Sequence, residues 1–441
     1  MSATSQYVMH PVGRPVFGTI RPPGSKSLTN RALVTAALAS GVSRLTGVLK
    51  SRDTEVMIDS LKRLGISVDD RLDEQCVTVT GCGGRIPRLT AELWLENSGT
   101  SIRFLAAMCA IGPGDGAKGS YRLDGNTRMR ERPIEDLTSA LASMGCVAKC
   151  ELGSGCPPVV IESTGLSAPR VSIGTGKSSQ FLSALLLAAP YSSVPLDIET
   201  LGPMVSEPYI DMTLGVMARF GVTVDISQPG HYRVSPSGYA SADYDIEPDA
   251  SAASYFFAAA AITQGRVTVE GLNQQALQGD VHFVKALERM GCDVKWGADH
   301  VTVTGRPLHG IDIDMNAISD TAQTLAVVAT FAAGSTTIRN IAHVRHKETD
   351  RITAVVTELS KLGIHATEFH DGMTIQPGLP NCSAAAPQLV HTYDDHRMAM
   401  SFALLGLVHS GVVIDDPACT SKTYPDFFAD LSRLCEEGSA S

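Results

Sequence analysis

The sequence predicts an α/β protein in which one small structural unit is repeated six times. Each copy opens with a short polar segment that runs into an Ala/Leu-rich helical stretch. Most copies close on a second helix that ends in an apolar residue and a glycine, at a period of roughly 70 to 80 residues. Short β-rich runs separate the helices, so strands and helices alternate. This period is long for a solenoid and suits a small αβ building block.

The elements follow in order along the chain. The polar openings are residues 24–27, 97–100, 177–180, 249–251, 320–323 and 394–397. Helical spacing is present at residues 31–38, 53–64, 134–144, 181–187, 255–262, 281–290, 325–331 and 352–362. Strand-like runs are residues 16–20, 76–79, 159–161, 196–198, 266–269, 301–303 and 337–338. The closing glycines are Gly65, Gly145, Gly221, Gly291 and Gly363.

A domain boundary is predicted near residues 241–247, an acidic stretch with few helix formers that leaves three copies on each side. The strand at residues 16–20 precedes the first opening and can pair with the far half, so the chain would cross between domains twice. We therefore expect one domain from residues 1–24 with 248–441 and another from residues 25–247. The two halves would face one another across a cleft that holds the active site.

The charge pattern predicts an anionic substrate. Helix N-termini carry unpaired N–H groups and a partial positive charge, which together bind anions. Cations stand at or near the openings: Lys26, Arg31, Arg103, Arg128, Lys347, Arg351, Arg397 and Lys422. The whole chain has 36 basic and 46 acidic residues and a net charge of −10, which argues against nonspecific nucleic-acid or membrane-surface binding. The cations are then a local feature of an acidic protein.

The cysteines and the N-terminal region indicate a cytoplasmic protein. Ten cysteines are scattered, and the nearest group, Cys146, Cys150 and Cys156, lacks the spacing and histidine partners of a zinc site. We expect reduced thiols and no metal. Residues 1–23 show neither a signal nor a transit pattern, and no apolar run has a membrane-spanning length.

Residues 22–31 form the first candidate anion site. Two prolines, a glycine, Lys26, two hydroxyls and Arg31 can cradle a phosphate or carboxylate. The glycine spacing of a Walker loop is absent, so ATP binding is not expected. The simpler alternative is a capped helix with solvated charges.

Three further segments extend this pattern. Residues 97–103 repeat a small polar run before an arginine, and residues 128–133 offer three cations, of which one should face a ligand while the others pair with Glu131 or solvent. Residues 177–180 and 205–209 supply hydroxyl and amide donors. Taken alone, each serine pair is more often a helix cap.

The second half contains the most charged segment, residues 345–351. A helical course would put Lys347 and Arg351 four residues apart on one flank with Glu348 between them. The alternative is a surface ladder of ion pairs. Asp320 stands at a helix start, where its simplest role is an N-cap. Residues 393–400 place His396 and Arg397 at another opening, and residues 420–423 end the series with Lys422.

The motifs together resemble the 5-enolpyruvylshikimate-3-phosphate synthase family, from about residue 12 to residue 430. The matching segments are residues 23–32, 128–134, 178–181, 347–351 and 394–400. The resemblance implies a two-domain inside-out α/β barrel, each domain built from three βαβαββ units about a pseudo-threefold axis. It implies transfer of the enolpyruvyl group of phosphoenolpyruvate to the 5-hydroxyl of shikimate 3-phosphate in aromatic amino-acid biosynthesis. No metal or organic cofactor is implied, and a monomer is expected.

The resemblance also implies roles for individual residues. Those that would hold shikimate 3-phosphate are Lys26, Ser27, Arg31, Ser178, Ser179, Gln180, Ser206, Tyr209, Asp320, His343 and Lys347. Those that would hold phosphoenolpyruvate are Lys26, Asn97, Gly99, Arg128, Gln180, Arg351, His396, Arg397 and Lys422. Asp320 would accept the 5-hydroxyl proton and Glu348 would give a proton to the methylene carbon. Lys26 is a third catalytic candidate, since Lys26 and Lys422 can also move protons.

Several positions depart from the commonest family pattern. His343 stands where many relatives have Asn, and Lys177 adds a charge beside residues 178–180. The loop near Gly99 has four unusual residues: Glu96 for Gly, Ser98 for Ala, Ser101 for Ala and Phe104 for Pro. In the family this loop also forms the pocket of the inhibitor glyphosate. We expect these changes to lower glyphosate sensitivity.

Three other functions compete with this one. The related enolpyruvyl transferase that acts on UDP-N-acetylglucosamine would have an early Lys-Asn pair and a reactive loop cysteine, whereas this chain has Lys26-Ser27. RNA 3′-phosphate cyclase relatives share the repeated unit, but the charge of −10 and the missing nucleotide loop argue against them. An inactive binding protein of the same fold would have lost Asp320, Glu348 or the cations, and all are present.

Overall fold

The chain folds into two compact units. The computed structural model describes residues 6–437. One unit is Gly24–Ile246, called here the inserted unit, and the other combines Met1–Pro23 with Glu247–Ser441, called the terminal unit. The inserted unit therefore interrupts the sequence of the terminal unit near its start.

The regular elements follow the repeat that the sequence indicates. The strands are β1 Gln6–Val8, β2 Phe17–Ile20, β3 Ser40–Thr46, β4 Ser67–Arg71, β5 Cys76–Cys82, β6 Thr90–Trp94, β7 Gly119–Asp124, β8 Val147–Cys150, β9 Val159–Ser163, β10 Arg170–Gly174, β11 Leu196–Leu201, β12 Asp225–Gln228, β13 His231–Val234, β14 Asp243–Asp245, β15 Arg266–Glu270, β16 Asp293–Trp296, β17 His300–Thr304, β18 Asp312–Asp314, β19 Thr336–Arg339, β20 Ala366–Phe369, β21 Gly372–Ile375, β22 Gln388–Val390 and β23 Val412–Asp415. The helices are α1 Lys26–Leu38, α2 Arg52–Arg63, α3 Gly99–Ile111, α4 Glu135–Ser143, α5 Ser179–Ala188, α6 Pro208–Arg219, α7 Ala250–Thr263, α8 Phe283–Arg289, α9 Ala322–Ala329, α10 Arg351–Lys361, α11 His396–Ala403 and α12 Phe427–Glu437.

Each sheet of the inserted unit is built mainly from one copy of the repeat. Their strand orders are β14-β3-β5-β4, β6-β7-β9-β8 and β10-β11-β13-β12. The first two strands in each order are parallel, and the later pairs are antiparallel. A helix separates the parallel strands β6 and β7, as a parallel crossover requires. The first copy takes its leading strand, β14, from the end of the unit.

The terminal unit repeats this arrangement with strands from both ends of the chain. Its sheets have the orders β16-β17-β15-β2, β18-β19-β21-β20 and β1-β23-β22. Strand β2 lies parallel to β15, which confirms the predicted pairing of residues 16–20 with the far half. Strand β1 pairs antiparallel with β23, with Gln6 opposite Asp415.

The first helix of each copy lies inside its unit, and the sheets lie outside. Helices α1, α3 and α5 pack against one another, and α9 packs against α7 and α11. Helix α3 is buried from Gly99 to Ile111, and α7 from Ala250 to Ile262. A helix that is apolar on every side must be enclosed, whereas the strands bury one face, as the alternation of β17 shows. This is the inside-out α/β fold that the resemblance implies.

The second helix of each copy behaves differently, because one of its faces is exposed. Helix α2 buries Met57, Ile58 and Leu61 and exposes its charged residues apart from Asp53. The predicted closing glycines follow these helices with positive φ, from 78° at Gly363 to 117° at Gly291. That conformation suits glycine at a helix C-terminus. Within residues 6–437, none of the helices combines the length and apolar character needed to cross a membrane.

Candidate active site

Serines occupy the N-cap positions of the three first helices of the inserted unit, and two of them, Ser25 and Ser178, cap the helix through their hydroxyls. Ser25 begins α1 and its hydroxyl accepts from the N–H of Leu28, and Ser178 begins α5 and accepts from the N–H of Gln180. Ser98 precedes α3, where its hydroxyl bonds that of Ser101 at 2.7 Å. Neutral caps add no negative charge to the positive helix ends. These helix starts therefore remain suited to anions.

Arg31 is buried inside the inserted unit, with 1% of its surface exposed. Its guanidinium donates to protein oxygens of three helices: the Ser27 carbonyl, the Tyr209 carbonyl, and the hydroxyls of Thr213 and Ser183. Burial lowers the pKa of Arg31 to about 10, so the side chain is charged at neutral pH. The alternative of a solvated charge at this position is therefore wrong.

The remaining predicted residues of this region lie at helix starts. The Nζ of Lys26 lies 3.8 Å from a carboxylate oxygen of Asp53, and both side chains are mostly buried. Ser206, with a positive φ of 52°, precedes α6, and its carbonyl accepts from the N–H of Tyr209 at 3.1 Å. Ser179 is the first residue of α5. The structure thus gathers the serines at the starts of α1, α5 and α6.

The loop before α3 is held by Arg132, a residue that the sequence analysis did not assign to the site. Arg132 is buried and donates from Nη1 to both the carbonyl and the side-chain oxygen of Asn97 at 3.0 Å. A Cβ on Gly99 would lie 2.4 Å from Nη2 of Arg132. A side chain at this position would have to displace the Arg132 guanidinium from its contacts with Asn97. The three cations of residues 128–133 alone could have indicated a buried arginine, but not which one.

The other two cations of this segment are paired with acids. Arg128 lies 2.9 Å from Glu131, and Arg130 lies 2.6 Å from Asp124. Pairing with Glu131 was predicted for some of the cations. Arg128 is partly exposed, with its guanidinium at the surface of the unit. It is therefore accessible to a ligand that can compete with Glu131.

Gln180 is fixed by α3. Its amide oxygen accepts from Arg103 at 2.6 Å, and its amide nitrogen donates to the hydroxyl of Thr100 at 3.2 Å. Lys177 forms an ion pair with Asp136 at 3.0 Å. The added charge of Lys177 thus has a partner on α4.

The unusual residues near Gly99 have definite contacts. Glu96 has a φ of 48°, a conformation that favours glycine, and it accepts from Arg52 at 2.8 Å. The ring of Phe104 lies under the guanidinium of Arg31, with 5.2 Å between the guanidinium carbon and the ring centroid.

In the terminal unit, three cations converge on the carboxylate of Asp320. They are Lys347, Arg351 with Nη1 at 3.0 Å, and Arg397 with Nη2 at 2.8 Å. Burial by itself raises the pKa of Asp320, but the positive charges of Arg397, Lys347 and Arg351 outweigh it and hold that pKa well below the ordinary value. Asp320 is therefore ionised, and it belongs to a charge cluster rather than acting as an N-cap.

The predicted helical course of residues 345–351 is wrong. A 3₁₀ turn covers Ala342–His346, and α10 starts only at Arg351, capped by Asp350. Lys347 lies between them with a ψ of −147°, so it does not share a helical flank with Arg351. Both cations reach Asp320 from separate segments. The alternative of a surface ladder is also wrong, because Glu348 and Arg351 are buried.

Two further carboxylates complete the cluster. Glu348 accepts from Arg351 at 2.8 Å and lies 3.3 Å from Nζ of Lys422. Asp395, with no exposed surface, accepts from Nε of Arg351 at 2.8 Å and from the backbone N–H of Arg397 at 2.9 Å. Asp395 thereby caps α11, whose first residue is the buried His396. The sequence placed Asp395 in a motif but gave no sign of its contact with Arg351.

His343 adjoins this cluster and is neutral. Its Nε2 lies 2.9 Å from the hydroxyl of Ser319, the residue before Asp320. Burial lowers the pKa of His343 to about 3, and the neighbouring charge of Lys347 acts in the same direction. Among residues 6–437, no group of three or more His, Cys, Asp or Glu side chains is arranged to hold a metal ion.

Each unit thus contains its own set of buried cations at helix starts, and the terminal unit adds three carboxylates. Such sites define a protein that binds multiply charged anions and can transfer protons beside them. The model of one family, EPSP synthase (3-phosphoshikimate 1-carboxyvinyltransferase), matches residues 12–431. The chain belongs to the EPSP synthase family.

Individual relatives agree with this assignment. The chain is 46% identical over 428 residues to 3-phosphoshikimate 1-carboxyvinyltransferase of Nostoc punctiforme, covering 97% of this chain and 98% of that protein. It is 44% identical over 451 residues to the chloroplastic enzyme of that name from Arabidopsis thaliana, covering 98% and 84%. The solved structure of EPSP synthase from Acinetobacter baumannii superimposes with a TM-score of 0.80 at 25% identity, covering 98% of both chains.

Proposed function

We propose that this protein transfers the enolpyruvyl group of phosphoenolpyruvate to the 5-hydroxyl of shikimate 3-phosphate and releases phosphate, a step of aromatic amino-acid biosynthesis. One observation carries the proposal: the Asp320 carboxylate lies among Lys347, Arg351 and Arg397. The cations of this cluster can bind anionic groups, and the ionised acid among them can exchange protons with the bound molecule.

The inserted unit holds most of shikimate 3-phosphate. Lys26 and the starts of α1, α5 and α6 supply a positive charge, hydroxyl donors and helix N-termini for its phosphate. The residues concerned are Lys26, Ser27, Ser178, Ser179, Gln180 and Ser206, with Tyr209 beside them. Arg31 fixes the Ser27 and Tyr209 backbones and contributes its charge. Asp320, His343 and Lys347 bind the hydroxyl-bearing side of the ring.

Phosphoenolpyruvate, with a carboxylate and a phosphate, requires several cations. Its proposed contacts are Lys26, Asn97, Gly99, Arg128, Gln180, Arg351, His396, Arg397 and Lys422. Arg132 fixes Asn97 and lies directly behind Gly99, so it holds the loop in place. Arg128 exchanges Glu131 for the substrate, since its ion pair is exposed and therefore weak.

Proton transfer follows from the carboxylate cluster. The 5-hydroxyl oxygen attacks the central carbon of phosphoenolpyruvate and its proton passes to Asp320, while Glu348 protonates the methylene carbon. Phosphate then leaves that central carbon and takes the proton held by Asp320, while the new methyl group returns a proton to Glu348, which restores the double bond. Acid and base exchange roles between the two steps.

The low pKa of Asp320 makes it a weak base. Binding of the anionic substrates raises that pKa. Lys347, Arg351 and Arg397 lower that pKa by attraction. When anionic substrates share these cations, the attraction to Asp320 falls and its pKa rises. Lys26 and Lys422 are further candidates for carrying protons, and Lys422 already lies beside Glu348.

Phosphate release by the purified protein tests the function. The protein is given phosphoenolpyruvate and shikimate 3-phosphate, with each omitted in turn and no metal added. Release that requires both substrates is expected. Release from phosphoenolpyruvate alone, or release with UDP-N-acetylglucosamine in place of shikimate 3-phosphate, would contradict the proposal.

We further propose that the protein acts as a cytoplasmic monomer. All ten cysteines are free thiols, which suits a reducing compartment. Light scattering at the concentrations used for kinetics measures the oligomeric state, and a dimer mass would contradict the monomer.

A further inference from the structure

A buried carboxylate outside the proposed site connects α10 to the segment that leads into α11. Glu358 has 1% of its surface exposed. Its two oxygens accept from the hydroxyl of Tyr393 at 2.5 Å, the backbone N–H of His391 at 3.2 Å and the ammonium of Lys361 at 2.7 Å. Two of these three donors belong to residues 391–393, so the carboxylate serves mainly to fix that segment.

The segment that Glu358 holds has an unfavourable backbone. Tyr393 and Asp394 are consecutive and both left-handed, with φ of 57° and 54°. Residues with side chains rarely adopt this conformation, and two in succession require support from their surroundings. The next residue is Asp395, which caps α11 and binds Arg351. The strained pair therefore fixes the position of Asp395 and the start of α11.

Helix α10 contacts this segment at two levels. Arg351, its first residue, binds Asp395. Glu358 lies seven residues later, which is two helical turns and about 10 Å along the axis on the same face. A second contact fixes the start of the segment, where Nδ1 of His391 lies 2.9 Å from Asp415. The segment is thus held at His391, at Tyr393 and at Asp395.

We propose that Glu358 and Tyr393 are positioning residues that hold the left-handed pair so that Asp395, Arg351 and Arg397 present the correct geometry to phosphoenolpyruvate. The inference rests on the proposed function of Arg351 and Arg397. Neither Glu358 nor Tyr393 touches the cluster itself. Tyr393 is 40% exposed, so its hydroxyl would be an ordinary surface group if it had no such role.

The variant Tyr393→Phe tests the proposal, because it keeps the ring and removes the hydroxyl. We expect the KM for phosphoenolpyruvate to rise roughly five- to tenfold, which is less than the full value of a hydrogen bond to a charged group because Tyr393 acts on the substrate only through Asp395. The affinity for shikimate 3-phosphate alone, measured by calorimetry, should change by less than about twofold, because most of its proposed contacts lie in the inserted unit. A purely structural role would not separate the two substrates in this way.

Two further variants sharpen the test. Glu358→Gln keeps an oxygen that can accept from Tyr393 but turns an NH2 group toward the backbone N–H of His391, so it should raise the same KM at least as much as Tyr393→Phe does. Tyr121→Phe is the matched control, since it removes a hydroxyl that donates to the Arg88 carbonyl at 2.8 Å in the inserted unit. It should leave the KM for phosphoenolpyruvate unchanged.

The outcomes separate this inference from the proposed function. A wild-type protein without substrate-dependent phosphate release would remove the function on which the inference rests. An active wild type with an unchanged KM in Tyr393→Phe would overturn the positioning role alone. The same follows if Tyr121→Phe raises that KM equally, because the effect would then be general loosening.

Discussion

The two units build the starts of their first helices from different residues. The inserted unit uses serines, Ser25, Ser98 and Ser178. The terminal unit uses aspartates at two of its three starts, Asp249 and Asp395, and has Asp320 just before the third. A serine cap leaves the positive helix end available to an outside anion, whereas an aspartate supplies the anion itself.

This difference extends to the surrounding charges. In the terminal unit three carboxylates, Asp320, Glu348 and Asp395, are interleaved with four cations, Lys347, Arg351, Arg397 and Lys422. In the inserted unit the buried Arg31 and Arg132 bond to neutral oxygens. On the proposed function, the same repeated element thus serves mainly binding in the inserted unit and proton transfer in the terminal unit.

The largest effect should come from Asp320→Asn, which removes the central charge of the terminal unit at nearly constant volume. We expect kcat to fall by roughly 10²- to 10⁴-fold, while the KM for phosphoenolpyruvate does not rise, because three cations lose their internal partner. Steady-state kinetics measures both. Asp312→Asn, which breaks an exposed pair with Arg339 in the same unit, is the control. Near-normal turnover would remove Asp320 from the role of base.

The complementary change in the inserted unit is Arg128→Ala. Losing a charge-assisted contact should raise the KM for phosphoenolpyruvate roughly 10- to 100-fold with a smaller change in kcat. Arg130→Ala, in the same turn but bonded to Asp124, should have little effect on that KM. A fall in kcat without a change in KM would show that the inserted unit takes part in the chemistry. It would contradict the division of roles between the two units.

The loop near Gly99 provides a smaller effect. Glyphosate should inhibit this protein less than sensitive relatives, because Ser98 and Ser101 place two bonded hydroxyls beside Gly99 where alanines are usual. Replacing both serines by alanine should lower the inhibition constant, roughly two- to tenfold. Inhibition of the wild type as strong as that of sensitive relatives would contradict this role for the loop.

The last effect is on stability rather than on kinetics, and it concerns pH and His343. Its pKa is 6.5 ordinarily and about 3 in the folded protein, so the unfolded chain alone takes up a proton as the pH falls below 6.5. The free energy of unfolding should therefore be unaffected by His343 above pH 6.5. Below that pH it should fall by about 1.4 kcal/mol per pH unit toward pH 3. His343→Asn should lose less stability over this range, as urea midpoints would show. If the urea midpoints of the wild type and of His343→Asn fall equally with pH, His343 is not a buried neutral histidine in the folded protein.

Much of the fold could be predicted because its signals are local. The small polar openings and the closing glycines mark helix ends through capping and positive φ, which are properties of a few neighbouring residues. Several predicted helices began late, however: α1 starts at Lys26 rather than at residue 31, because its polar first turn does not show the apolar period.

The charge cluster was predicted only in part, because its contacts join distant segments. Asp320, Lys347 and Arg397 come from three separate stretches of the chain. The assumed helix through residues 345–351 failed because local spacing cannot show that Lys347 leaves the helical conformation. Arg132 and Asp395 were missed as partners since their roles depend on which side chains meet in the folded unit.

The position of the inserted unit within the sequence also fixes an order of events during protein synthesis. Strands β1 and β2 leave the ribosome first, yet their partners are β23 and β15. Residues 24–246 are complete before either partner exists, so the inserted unit can fold first. At typical rates of translation, β1 waits roughly 20 to 80 seconds for residues 412–415. Among the described strands, β1 is therefore made early and paired late, and its short length limits the backbone that it exposes to unintended partners until then.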